Sequence, residues 1–200
     1  MRKIYKLCTT AYIKTFVQAP GGFFRDFEVT ALPVDIARIA RSANIRLVKD
    51  SDVWVLSPRE TGRTVFYGER WTIIYNDGHS PSVSRQIIAH ELGHILLGHE
   101  TTKMTYSEML SFKRTASSER QADMFAARVL CPAFVIHELG LNSPEEIAEY
   151  CMVDIELAKK RWSRMQVLNK RDKFFTDPLE KELYHSFEDY IKKAIEDKSK

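Results

Sequence analysis

Hydrophobic residues recur at helical spacing near the start of this 200-residue chain. In residues 32–43, Ile36, Ile39, Ala40 and Ala43 fall on one face of a helix. Pro33 is compatible with the first helical turn. The pattern predicts a short amphipathic helix in this stretch.

A different pattern follows, in which β-branched and aromatic residues form short segments separated by Gly and Asn. Such segments are typical of β-strands. The four predicted strands are residues 45–48, 53–56, 64–67 and 71–75. Their closeness along the chain predicts a small, mainly antiparallel sheet.

The second half of the chain contains clear signals for helix starts and ends. Pro81 opens a predicted helix that reaches Gly98, and Ser117 or Ser118 caps a second one over residues 119–130. Ser143 begins a capping box, and Asp154 caps a further helix to about residue 168.

A last amphipathic helix is expected after Asp177 and Pro178. Its apolar stripe predicts that it packs on the rest of the protein. We therefore divide the chain into an N-terminal extension (1–30), a core (31–140) and a C-terminal helical region packed on that core (141–200).

Composition narrows the class of protein. A hydrophobic fraction of 44% and a charged fraction of 28% are typical of a globular domain. A net charge of +3 does not demand nucleic acid or a membrane as partner. Cys8, Cys131 and Cys151 are widely spaced and odd in number, which argues against disulfides and predicts a cytoplasmic protein. No apolar run approaches the eighteen or so residues of a membrane span.

The candidate chemistry lies in the helix that starts at Pro81, where residues 90–94 read His-Glu-Leu-Gly-His. At about 100° per residue, His90 and His94 lie roughly 40° apart on one helix face and can bind one cation. Glu91 can take a proton from an attacking water and pass it to a leaving amine. The motif predicts a hydrolytic site with one zinc ion, in preference to manganese or another divalent metal.

A third ligand is expected from the helix over residues 119–130. Glu119 and Asp123 lie four residues apart on one face, and the small Ala122 and Ala126 allow close helix packing. We expect Glu119 to bind the metal and Asp123 to accept a hydrogen bond from a ligating imidazole. The alternatives are that both are solvated carboxylates, with Glu108 as the substitute ligand, and that the two histidines are ordinary core residues.

His99 competes for the ligand role, but it lies about 180° from His90 on a continued helix, and Gly98 ends the helix before it. Leu97 and Glu100 also break the longer H-E-x-x-H-x-x-G-x-x-H motif. We interpret His99 as a loop residue near the site. His99 and Tyr106 are candidates for transition-state support.

These residues and their flanks resemble the ImmA/IrrE family of metallopeptidases. The resemblance covers about residues 30–165 and rests on five segments. They are Leu32-Pro33-Val34-Asp35-Ile36, Ile73-Ile74-Tyr75-Asn76, the motif at 90–94, Glu119-Arg120-Gln121-Ala122-Asp123-Met124-Phe125-Ala126-Ala127, and Leu130-Cys131-Pro132.

The resemblance implies an α+β zincin-like metallopeptidase core with a C-terminal helical tail. By analogy, His90, His94 and Glu119 are the metal ligands, Glu91 is the general base, and Asp123 supports a ligand. Family members are similar to proteases that cleave a helix-turn-helix repressor, often one of a phage or mobile element. This implies a protein substrate and a role in transcription regulation. An extended peptide is expected to add to the strand at 71–75, unless that strand lies inside the sheet.

Residues 145–168 resemble a helix-turn-helix tail. Lys159, Lys160, Arg161 and Arg164 make its second helix basic, but nearby acidic residues weaken a case for DNA contact. A structural tail and a docking surface for a protein substrate are the alternatives. For the whole protein, the alternative to an endopeptidase is a non-catalytic regulator that retains the fold and acts by binding protein or DNA. The oligomeric state is left open.

Overall fold

The computed structural model of the protein describes residues 21–67, 69–99, 114–172, 174 and 178–198. The predictions about Cys8, Tyr106, Glu108 and most of the N-terminal extension lie outside these residues. The described chain is a mixed α+β protein with nine helices and one three-stranded sheet.

The elements in chain order are α1 (Gly21–Asp26), α2 (Ile36–Ser42), β1 (Arg46–Lys49), α3 (Asp50–Val53), β2 (Gly62–Tyr67), β3 (Arg70–Tyr75), α4 (Pro81–Leu96), α5 (Ala116–Leu130), α6 (Ala133–Glu138), α7 (Pro144–Cys151), α8 (Ile155–Lys170) and α9 (Pro178–Lys198).

The chain divides into two compact units. The described residues of 35–126 form the first unit, and those of 21–34 and 127–198 form the second. We call them the site unit and the C-terminal unit. The three-part division drawn from the sequence stays a prediction.

The sheet of the site unit has β3 at its centre. Ile73 of β3 lies opposite Leu47 of the parallel strand β1 and opposite Thr64 of the antiparallel strand β2. The sheet is thus mixed rather than mainly antiparallel. Of the two alternatives for residues 71–75, peptide addition is wrong and the strand inside the sheet is confirmed, because β1 and β2 occupy both sides of that strand.

The predicted strand at residues 53–56 is also wrong. The carboxylate of Asp50 accepts hydrogen bonds from the backbone N–H groups of Val55 and Leu56, each at 3.0 Å. Trp54 has a left-handed backbone, with φ of 53°. Because the side chain of Asp50 takes N–H groups that a strand would need for its ladder, the segment forms the short helix α3 and a turn.

The core of the site unit lies between the sheet and the helices α2 and α4. Asp35 accepts a hydrogen bond from the Arg38 N–H at 2.9 Å, so α2 begins at Ile36 rather than at residue 32. Ile39, Ile73 and Leu92 are fully buried. This packing fixes α4, the helix of the metal motif, relative to β2 and β3.

The C-terminal unit is helical and has its own aromatic core. Phe187 of α9 packs edge-on against Phe24 of α1 and Phe134 of α6, with ring centroids 6.0 and 5.2 Å away. Ser143 and Asp154 cap α7 and α8, as the sequence predicts. Among the described helices, none is long and apolar enough to cross a membrane.

Candidate metal centre

Helix α4 presents both histidines of the motif from one face. It starts with Pro81, and the Ser80 hydroxyl accepts from the Val83 N–H. It ends at Leu96, and Gly98 follows with φ of 67°. His94 is fully buried, whereas the side chain of His90 is partly exposed.

Helix α5 brings Glu119 to the same place. The helix begins at Ala116, and the Thr115 hydroxyl accepts from the Ser118 N–H at 3.1 Å. The cap is therefore Thr115 rather than Ser117 or Ser118, and Glu119 falls in the first turn. Its acidic side chain is favourable at the positive end of the helix dipole.

Gly93 allows α4 and α5 to approach each other closely. A Cβ atom at this position would lie 3.0 Å from the Phe125 ring and 3.3 Å from the Cα of Ala122. The backbone atom of Ala122 cannot rotate away, so a larger residue at 93 would push the helices apart. The distance between the two histidines and Glu119 depends on this contact.

Donor atoms of three side chains converge between the helices. His90 Nε2 lies 2.9 Å from His94 Nε2 and 3.2 Å from Glu119 Oε2, and His94 Nε2 lies 3.4 Å from Glu119 Oε1. Zinc bonds of about 2.0–2.1 Å give a tetrahedral edge of about 3.3–3.4 Å. The His–His–Glu donors therefore match a zinc ion in type and nearly in spacing, and they are positioned to hold a metal ion.

Each imidazole of His90 and His94 makes a hydrogen bond through Nδ1, and this bond fixes the tautomer that a metal ligand needs. His90 Nδ1 lies 2.9 Å from the Asp123 carboxylate, so this nitrogen donates and Nε2 keeps its lone pair. His94 Nδ1 lies 2.9 Å from His99 Nδ1, and His99 Nε2 lies 3.0 Å from Gln121 Oε1. Because Gln121 Oε1 accepts from His99 Nε2–H, His99 Nδ1 has a lone pair and accepts from His94 Nδ1–H. His94 Nε2 then keeps its own lone pair, which points toward Glu119.

The surrounding charges treat the two histidines differently. Burial opposes protonation of His90, but its hydrogen bond to Asp123 and the charges of Glu91, Asp123 and Glu119 raise its pKa above the ordinary value. Burial and the positive charge of Arg114 lower the pKa of His94 to about 2. His94 therefore stays neutral, as a metal ligand must, and His90 is the ring at which protons compete with a metal.

Glu91 lies beside the donor cluster, buried between α4 and β2. Its carboxylate accepts two hydrogen bonds from Arg114, with Nη1–Oε1 of 3.0 Å and Nη2–Oε2 of 2.6 Å. Arg114 Nη2 also donates to the Thr64 hydroxyl at 2.9 Å. A Cβ at Gly62 would lie 3.0 Å from Glu91 Cγ, so β2 passes directly over this side chain.

The structure thus brings five of the predicted site residues together: His90, Glu91, His94, Glu119 and Asp123. His99 contacts the ring nitrogen of His94 that faces away from Glu119, and Tyr106 lies outside the described residues. Sequence reasoning missed Arg114 and Gln121. Arg114 stands in a stretch without periodicity, and no spacing rule connects it to the motif at 90–94.

The α+β fold and the His–His–Glu cluster define a metallopeptidase-type domain. The chain belongs to the peptidase M78 family: the sequence model of this family, described as an IrrE N-terminal-like domain, matches residues 41–163. No curated protein and no solved structure matches the chain. The resemblance seen in the sequence is confirmed at the level of the family.

Proposed function

We propose that the protein is a metal-dependent endopeptidase. The observation that carries this proposal is the convergence of His90 Nε2, His94 Nε2 and the Glu119 carboxylate within 4.8 Å of one another. The contacts of His90 with Asp123 and of His94 with His99 support it, because they turn both Nε2 lone pairs toward one point.

His90, His94 and Glu119 would hold the ion, with zinc favoured by the donor set. When bound, zinc supplies a Lewis acid that polarises a peptide carbonyl and lowers the pKa of a neighbouring water. Glu91 is next to His90 on the same helix and accepts the proton of the attacking water, then returns it to the leaving amine. Asp123 and His99 keep the two imidazoles in the required orientation.

Strand β2 is the element that we propose aligns the substrate. It is an edge strand within the described sheet, and its Gly62 and Thr64 flank Glu91. An extended peptide that pairs along β2 would run beside the strand that contacts Glu91. This assigns to β2 the pairing that the sequence had suggested for residues 71–75.

We propose a regulatory protein as the substrate, namely a helix-turn-helix repressor of a phage or mobile element, cleaved in the cytoplasm. Resemblance to the ImmA/IrrE family supports this choice. In α8, Lys159 pairs with Glu156 at 2.8 Å and Arg161 is buried. Lys160 and Arg164 stay exposed, so the basic surface of α8 is reduced by these two contacts but not removed. The acidic residues beside it weaken a case for DNA contact, which favours a structural or protein-docking role for the tail.

The first prediction tests the proposed reaction. Glu91→Gln should keep bound zinc and fold but abolish cleavage, because the amide preserves shape and cannot act as the base. The zinc-loaded proteins are incubated with helix-turn-helix repressors from the same genome and with a proteome-derived peptide library, and fragments are identified by mass spectrometry. Library cleavage without repressor cleavage would reject only the substrate. Wild-type cleavage retained in Glu91→Gln would reject the mechanism and favour a non-catalytic regulator.

A further inference from the structure

Arg114 joins two carboxylates of the candidate site. Its guanidinium makes the bidentate pair with Glu91 described above, and its Nε lies 4.0 Å from Glu119 Oε1. The side chain of Arg114 is 15% exposed and that of Glu91 is 3% exposed. One largely buried cation therefore contacts the proposed general base and approaches a proposed metal ligand.

The positive charge of Arg114 would repel a metal ion bound at the candidate site. Glu91 and Glu119 supply negative charge that Arg114 balances in this structure. A divalent ion between His90, His94 and Glu119 would add positive charge close to Arg114, whose Nε lies 4.0 Å from Glu119 Oε1. Like charges this close at a partly buried site repel each other.

The ion pair with Arg114 also affects the role proposed for Glu91. Both carboxylate oxygens accept from Arg114 in this structure, so a cation engages one lone pair of each oxygen that would receive a proton from water. Repulsion between Arg114 and a bound ion weakens this pair. Metal binding therefore favours release of Glu91 from Arg114.

We propose that Arg114 is a positioning residue that holds Glu91 and lowers the affinity of the site for metal. The Arg114–Glu91 pair and metal loading oppose each other. This inference rests on the proposed metal site. Through Arg114, metal binding would weaken the hold on Glu91, the proposed general base. An ion pair with only a structural role would not link these two events.

Arg114→Gln tests the coupling because glutamine removes the charge but keeps polar groups. Zinc affinity should rise by about fivefold or more, since the repulsion is gone and Glu91 lacks its cation. The melting temperature of the metal-free protein should fall, because a buried carboxylate loses its partner. Arg114→Lys keeps the charge, so its zinc affinity should stay within about twofold of the wild-type value.

Arg63→Gln is the matched control. The Arg63 side chain is also 15% exposed and pairs with Glu60, with Nε–Oε1 of 3.0 Å. Removing this pair should lower the melting temperature and leave zinc affinity unchanged. Affinities are measured by competition with a chromophoric chelator, and melting temperatures are measured on metal-free protein.

A second pair of variants avoids a buried unpaired carboxylate. Adding Arg114→Gln to Glu91→Gln removes both partners, and this double variant should bind zinc more tightly than Glu91→Gln alone. Unchanged or weaker zinc binding on loss of the Arg114 charge, in either background, overturns the inference. A wild-type protein that binds no zinc instead contradicts the proposed metal site, and with it everything built on that site.

Discussion

Each histidine of the candidate centre has one nitrogen turned to the metal position and the other held from behind. His90 is held by Asp123, and His94 by His99 and Gln121. The outer contact decides which nitrogen keeps a lone pair, so we expect these residues to affect metal affinity without touching the ion.

Asp123→Asn tests this arrangement at His90. The substitution should weaken zinc binding about 10–100-fold at pH 8, because a neutral amide oxygen replaces the charged acceptor that orients His90. A proton on His90 excludes the metal, so wild-type affinity should fall as the pH drops below the raised pKa of this ring. Without Asp123 that pKa falls, and the acid loss of affinity should begin at a lower pH. Chelator competition across pH 5 to 8 measures both effects, and an unshifted pH profile would contradict the assignment.

What the sequence reveals about single residues depends on their spacing. His90, Glu91 and His94 follow a helical repeat, and Glu119 with Asp123 follows another, so their faces can be predicted locally. Arg114 reaches Glu91 only because the chain before α5 passes beside α4. That contact depends on tertiary structure, and no local pattern encodes it.

At the scale of elements, β2 and α4 approach each other closely enough to exclude any side chain at Gly62. This contact places an edge strand beside Glu91. Sheet order could not be predicted because the segments are short and similar, and the pairing of β1 with β3 requires the chain to pass through α3 and β2 first. The predicted strand at 53–56 failed for a local reason, the side-chain hydrogen bonds of Asp50.

Gly62→Ala tests the contact between β2 and α4. The added Cβ would lie 2.6 Å from Ile87 Cγ2, so the strand or the helix must shift. We expect the free energy of unfolding to fall by about 1–3 kcal/mol, and peptide cleavage to fall because Glu91 is displaced.

Gly78→Ala is the control for this substitution. There the nearest atom to an added Cβ is the Asn76 side-chain oxygen at 3.1 Å, in an exposed turn. The change in stability should stay within about 0.5 kcal/mol. Urea unfolding compares the two variants, and equal stability of both would contradict the close packing at Gly62.

At the scale of the whole molecule, the metal donors and the aromatic core fall in different units. All residues of the candidate centre lie in the site unit, Asp35–Ala126. Phe187 belongs to the C-terminal unit, where it is fully buried against Phe24 and Phe134. The amphipathic stripe of α9 was evident from the sequence, whereas its partners α1 and α6 were not, because they lie far from it along the chain.

Phe187→Ala should therefore separate stability from metal binding. Loss of the buried ring should lower the free energy of unfolding by about 3–5 kcal/mol, while zinc affinity of the folded protein stays unchanged. Ile195→Ala on the same helix is the control, because Ile195 is 43% exposed and should cost less than about 0.5 kcal/mol. Circular dichroism with urea measures stability, and a parallel loss of zinc affinity in Phe187→Ala would contradict this separation.

The zinc content of the wild-type protein and of Glu119→Ala and His99→Ala tests the central claim most directly. Elemental analysis after dialysis against zinc should give about one zinc per chain for the wild type. We expect a severe loss for Glu119→Ala, which removes a proposed ligand, and a smaller loss for His99→Ala, which removes a contact behind His94. Equal retention in both variants, or loss in His99→Ala alone, would contradict a centre built from His90, His94 and Glu119.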